Sequence, residues 1–88
     1  MPPFNILLKP SVEKDLRKLS ASVVRLVFEA FERLTEEPAV PHDRKLSGTE
    51  RTWRRRIGDY RIVYELDLSN LTVIIQYVRH RKEVYRRL

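Results

Sequence analysis

The 88-residue chain has no cysteine and only two glycines, Gly48 and Gly58. The first absence excludes disulfide staples and thiolate metal sites and suits a reducing compartment. The second leaves no glycine-rich loop to cradle a phosphate. His42 and His80, with 37 residues between them, make a poor zinc set, and no nucleophilic triad is visible, so neither metal nor cofactor is expected. No stretch approaches the roughly 20 apolar residues of a membrane span. The opening MPPFNILLKP has neither a basic segment before a long apolar run nor a small-residue cleavage pattern. These absences predict one cytoplasmic domain over residues 1–88, without repeats and near the lower size limit for a self-sufficient core.

Arginine, by contrast, is abundant and unevenly placed. Residues 1–50 hold eight Lys+Arg against eight Asp+Glu, whereas residues 51–88 hold ten against four and carry the whole net charge of +6. Nine of those ten cations are arginine, the side chain best shaped for forked contact with phosphate. Nucleic acid is therefore the expected partner class. No basic amphipathic helix supports a membrane surface instead.

The segment WRRRIGDYRIVY, residues 53–64, concentrates this charge. Two runs rich in β-branched and aromatic residues flank Gly58-Asp59, which fit a two-residue hairpin turn. Pairing Ile57 with Tyr60 sets Arg56 opposite Arg61, Arg55 opposite Ile62, Arg54 opposite Val63 and Trp53 opposite Tyr64. Alternation then places Trp53, Ile57, Tyr60, Ile62, Tyr64 and Leu66 on a core face and Arg54, Arg56, Arg61, Val63 and Glu65 on the other. Like charges facing across strands destabilise by roughly 0.2–1 kcal/mol, and local rules tend to be broken at functional sites. The plainer reading is a solvated basic strand face with Glu65 as partial counterion. Arg55 falls on the core face, where it is expected to snorkel to solvent or rest over Trp53.

Around the hairpin, Phe4 to Leu8 reads as a first strand. A first helix follows Pro10, capped by Ser11, with Val12, Leu16 and Leu19 at helical spacing. A second runs from Ser20 or Ser22 to about Glu37, where Pro38 stops it. Its apolar stripe is widened by Val24 and Phe28, which reads either as deeper burial or as a docking surface for another chain. Residues 39–51 form a polar connection. A last strand, Leu71 to Val78, follows a turn at Asp67 to Asn70. Pairing Leu66 with Leu71 would put Leu71, Val73, Ile75 and Tyr77 in the core, Val78 on the arginine face and Gln76 opposite Arg61. The fold class is therefore α+β, in the order β-α-α-β-β-β, with a helical hairpin packed on one face of an antiparallel sheet and a short basic C-terminal tail.

These residues resemble the RelE/ParE superfamily of toxin-antitoxin modules, on its RelE-like side. KDLRKL in the first helix, KLSG before the hairpin, WRRRIGDYRIVYE, LTVIIQYV and the closing HRKEVYRR carry the likeness. It implies a ribosome-dependent endoribonuclease that cuts mRNA in the 30S A site by metal-independent attack of the RNA's own 2′-hydroxyl. It further implies silencing by a RelB-like, acidic and partly disordered antitoxin, in a toxin-antitoxin hetero-oligomer. The family's basic groove would fall on Arg54, Arg56, Arg61, Arg81 and Tyr85. Of these, Arg56, Arg61, Arg81 and Tyr85 are the catalytic candidates, while Arg54, Gln76, His80 and Lys82 would bind RNA and Val24 and Phe28 the antitoxin. Arginine replaces the family's common lysines in the first hairpin strand, and Arg55 replaces an apolar residue. Because arginine is a poor base, His80, Tyr85 and Glu65 are left as the protein's candidate proton carriers, unless the ribosome itself or water assists. A gyrase poison of the ParE kind, or an inactive nucleic-acid or antitoxin-binding module, are the alternatives.

Overall fold

The computed structural model describes residues 3–40, 43–46 and 51–82. In chain order the elements are β1 (Asn5–Leu8), α1 (Pro10–Arg17), α2 (Ala21–Glu36), β2 (Arg44–Lys45), β3 (Thr52–Ile57), β4 (Tyr60–Asp67) and β5 (Thr72–His80). Helix α1 starts on Pro10 itself, with Lys9 as the extended residue before it. The proline's missing N–H is no loss in the first turn. Ser11 does not cap, since its hydroxyl reaches across to donate to the Gln76 carbonyl at 3.1 Å. Ser20 caps α2, its hydroxyl accepting from the Val23 N–H at 3.3 Å.

The strands form one sheet in the order β1-β5-β4-β3-β2. The sheet is mixed and not wholly antiparallel, because β1 lies parallel to β5, with Asn5 beside Thr72 and Leu8 beside Ile75. A parallel neighbour needs a crossover connection, and everything from α1 through β4 supplies it. Both helices cover one face. Val12 of α1 and Val27, Ala30, Phe31 and Leu34 of α2 pack there against Ile62, Tyr64, Leu66, Val73, Ile75 and Val78. Among the described residues no helix is long and apolar enough to cross a membrane.

The β3–β4 register is the expected one from Ile57↔Tyr60 to Trp53↔Tyr64. Gly58 sits at φ +56° in the turn, where a side chain would be strained. The β4–β5 register is not the expected one. It starts with Asp67 beside Thr72, so that Leu66 meets Val73, and shifts at a bulge between Val63 and Tyr64, so that Val63 faces Tyr77, Ile62 faces Val78 and Arg61 faces Arg79. One extra residue reverses the alternation beyond it. Val78 therefore enters the core while Tyr77 leaves it, and Gln76 does not oppose Arg61. Leu71 lies outside the core, 44% exposed, at φ +48° in the preceding turn.

Candidate nucleic-acid interface

The face of the sheet opposite α1 and α2 gathers the arginines in two rungs. Arg56, Arg61 and Arg79 lie side by side across β3, β4 and β5. Two residues along, Arg44 of β2 and Arg54 of β3 sit beside Val63 and Tyr77. Five guanidinium groups thus share one side of a sheet whose neighbouring strands are ~4.8 Å apart. The Arg79 guanidinium stacks over the Tyr77 ring at 4.5 Å, tying the rungs together. Arg61 is 5% exposed at the centre, whereas Arg56 is open to solvent and donates to the Gly58 carbonyl at 3.3 Å.

Arg44, Tyr77 and Arg79 were not singled out from the sequence. The bulge hides the last two, and β2 is too short to carry a strand pattern. The polar end of this face is further along β4, where Gln76 donates to the Glu65 carboxylate at 3.1 Å. Glu65 stands four residues from Arg61, roughly 13 Å along the strand, and is no base for chemistry on that rung. His80 pairs with Tyr60 on the helix side of the sheet, its ring edge-on to the tyrosine at 5.2 Å. The structure thus separates the His80 side chain from the arginine rungs, because it follows Arg79 directly in a strand. Arg81 and Lys82 are exposed where β5 ends, the Arg81 N–H donating to the Asp59 carbonyl at 2.8 Å. Tyr85 and His42 lie outside the described residues. Among those residues no three His, Asp or Glu side chains converge to hold a metal ion.

Arg55, on the core face, neither snorkels nor rests over Trp53, which is occupied by the Lys45 ammonium at 5.7 Å. It is buried, 6% exposed, and forks onto Asp43 with Nε to Oδ1 at 2.7 Å and Nη2 to Oδ2 at 2.8 Å. The same Nη2 donates to the Glu37 carbonyl at the end of α2, 3.1 Å away. The Tyr64 hydroxyl donates to Asp43 and accepts the Ala39 N–H at 2.9 Å. This network fastens the connection after α2 under β3 and β4, two of the three strands that bear the rung Arg56–Arg61–Arg79.

Burial, and then the hydrogen bond to Asp43, push the Tyr64 phenol far above its ordinary value of 10.0. The folded protein therefore keeps this proton at a pH where the unfolded chain has released it. Its contribution is whole below pH ~10 and declines above it, by up to about 1.4 kcal/mol per pH unit. Urea midpoints measured between pH 8 and 11 should fall more steeply above pH ~10 in wild type than in Tyr64→Phe. Parallel curves would remove Tyr64 as the cause.

On the other side of the molecule Phe28 is 45% exposed and edge-on to Phe31, ring centres 5.6 Å apart. With Ile6, Leu8, Phe31 and Thr35 it lines an apolar groove between α2 and β1. Val24, one turn earlier on α2, is half-buried.

A family model described as the ParE toxin of type II toxin-antitoxin system, parDE, matches residues 6–85. Toxin RelG of Mycobacterium tuberculosis is 36% identical over 89 residues, covering 97% of this chain and 99% of that protein. The crystal structure of the toxin-antitoxin complex RelBE2 from the same organism superposes with a TM-score of 0.81 at 32% identity, covering 92% of this chain and 94% of that one. The archaeal RelE-RelB complex from Pyrococcus horikoshii gives 0.79 at 27% identity, covering 92% and 97%. Sequence match and fold agree, and the chain belongs to the RelE/ParE superfamily as a RelE-like toxin of a type II toxin-antitoxin system.

Proposed function

We propose that this toxin is a metal-independent endoribonuclease that cuts mRNA in the ribosomal A site and so stops translation. The observation that carries the reading is the rung Arg56–Arg61–Arg79, three guanidinium groups brought side by side on the sheet face opposite α1 and α2. Attack of a 2′-hydroxyl on the adjacent phosphorus adds negative charge to the phosphoryl oxygens. Fixed cationic donors stabilise that charge where it develops, without reorganising at the moment of reaction. Arg54 and Arg44 on the next rung would hold the following phosphate, and Arg81, Lys82 and Tyr85 would extend the grip into the tail. Tyr85 or Tyr77 could offer a ring to a base, a contact worth roughly 1–3 kcal/mol.

Arginine holds its proton too tightly to act as a base, and the rung Arg56–Arg61–Arg79 is made of arginine alone. In-line geometry must then come from how the substrate is held, which is what a ribosome with mRNA in its A site provides. We therefore expect purified toxin to cut mRNA on programmed ribosomes, with ends mapped by primer extension, and to leave the same RNA intact without them.

The cognate antitoxin in this reading is a RelB-like, acidic and partly disordered chain. The complexes formed by RelE-like relatives, the groove beside Phe28 and the net charge of +6 support it. The family model's ParE description favours a second reading, poisoning of DNA gyrase. Intact mRNA on ribosomes, together with blocked DNA supercoiling, would establish that reading in place of the first.

A further inference from the structure

Strand β5 runs out at His80, and the two backbone N–H groups that follow are both held. The Arg81 N–H donates to the Asp59 carbonyl at 2.8 Å. The Lys82 N–H donates to Nδ1 of His80 at 3.2 Å, where residues 81 and 82 take up helical backbone. The first N–H groups of a helical segment have no partner within it, and the residue just before it ordinarily accepts from the second or third of them, most often through serine, threonine, aspartate or asparagine. An imidazole takes that part in this chain. A donor at Nδ1 requires that nitrogen to be without a proton, so the capping ring is neutral and carries its hydrogen on Nε2.

The ring is itself held. Tyr60 is the cross-strand partner of His80, and its ring stands edge-on to the imidazole with centres 5.2 Å apart. Both tethers are thus anchored on consecutive residues, Asp59 and Tyr60. They act on the two peptide units that flank the Arg81 Cα, and between them they limit both backbone dihedrals of that residue. Arg56, an end member of the rung Arg56–Arg61–Arg79, is tied to the same turn, donating to the Gly58 carbonyl at 3.3 Å. The turn therefore gathers the backbone of Arg81 to the end of the sheet that carries Arg56.

We infer that His80 is a positioning residue of the cleavage reaction and acts through Arg81. Its Nδ1 fixes the Lys82 amide and so sets the direction from which Arg81 approaches the scissile phosphate. The assignment rests on the RNA-cleaving reading above. The imidazole stays beside Tyr60 on the helix side of the sheet and exchanges no proton with the RNA. A catalytic group displaced by about 1 Å can lose roughly 10²-fold in rate, so one hydrogen bond remote from the chemistry is enough to govern it.

The test turns on where the acceptor sits. Asparagine carries an acceptor on Cγ, as histidine does, whereas the glutamine oxygen lies one bond further out, and both substitutions lose the ring contact with Tyr60 alike. Cleavage is measured on programmed ribosomes over a range of ribosome concentrations, so that kcat and KM separate. His80→Gln should lower kcat about tenfold or more with KM unchanged, while His80→Asn, an ordinary helix cap, should keep kcat within about threefold of wild type. Added to Arg81→Ala, His80→Gln should cost little more, because residues acting through one another are not additive. Ring ¹⁵N shifts of wild-type toxin should show His80 with its proton on Nε2, a readout that stands even where a variant folds poorly. Equal rates for the asparagine and glutamine variants, full additivity with Arg81→Ala, a loss confined to KM, or a ring protonated mainly on Nδ1 would each overturn the assignment while cleavage by wild type continues. No cleavage by wild type on ribosomes would overturn the endonuclease reading, and the part given to His80 with it.

Discussion

Replacing Arg61 with alanine is expected to lower A-site cleavage by about 10²–10³, the usual effect of removing one fixed donor from a developing oxyanion. Arg61 is the middle member of its rung, 5% exposed between Arg56 and Arg79. Its position is set by both flanking strands, which makes it the least able of the three to be replaced by a neighbour's movement. Arg79→Ala should follow closely, since its guanidinium is held over Tyr77. Arg61→Lys should recover little, because a point charge cannot reproduce a planar fork. Primer extension on programmed ribosomes gives the rate, and far-UV circular dichroism checks the fold. Cleavage within threefold of wild type in folded Arg61→Ala would remove this rung from the chemistry.

The largest effect on stability is expected at Arg55, whose charge faces inward. Arg55→Met keeps much of the volume but leaves the Asp43 carboxylate buried without its cation. Breaking a buried pair from one side costs about 3–5 kcal/mol, a large share of the 5–15 kcal/mol that holds a typical domain. The same change frees the Glu37 carbonyl from its donor, so the end of α2 loosens together with the connection. Urea denaturation should show the midpoint collapse. Adding Asp43→Leu should restore part of it, because replacing both partners removes the orphaned charge. A single variant within 1 kcal/mol of wild type would show that water reaches this network.

The two arginine sites differed in how far the sequence disclosed them. The β3–β4 pairing was readable because a two-residue turn at Gly58-Asp59 leaves one register, and that register by itself set Arg56 against Arg61. Arg79 was not readable. The turn sets Leu66 beside Val73, two residues beyond the expected Leu71, and a bulge between Val63 and Tyr64, with no glycine to mark it, adds one more, so the simple alternation put Gln76 where Arg79 stands. Arg55 was legible as an anomaly, a cation on an apolar face, but its partner is twelve residues away in a connection with no periodicity. The parallel placement of β1 was equally hidden, since four residues reading NILL suit either direction. Local pattern fixes what a segment is, and distant packing decides what it meets.

The pairing of β1 with β5 also bears on the birth of the molecule. Asn5 finds its neighbour only at Thr72, a contact 67 residues distant, and such long closures are made late in folding. The strand that brings Arg79 beside Arg61 is also the one the amino terminus must await. A nascent chain lacks both until residues 72–80 have been synthesised. On the proposed reading as an inhibitor of protein synthesis, the arginine rung is therefore still incomplete while most of the chain that carries it is being made.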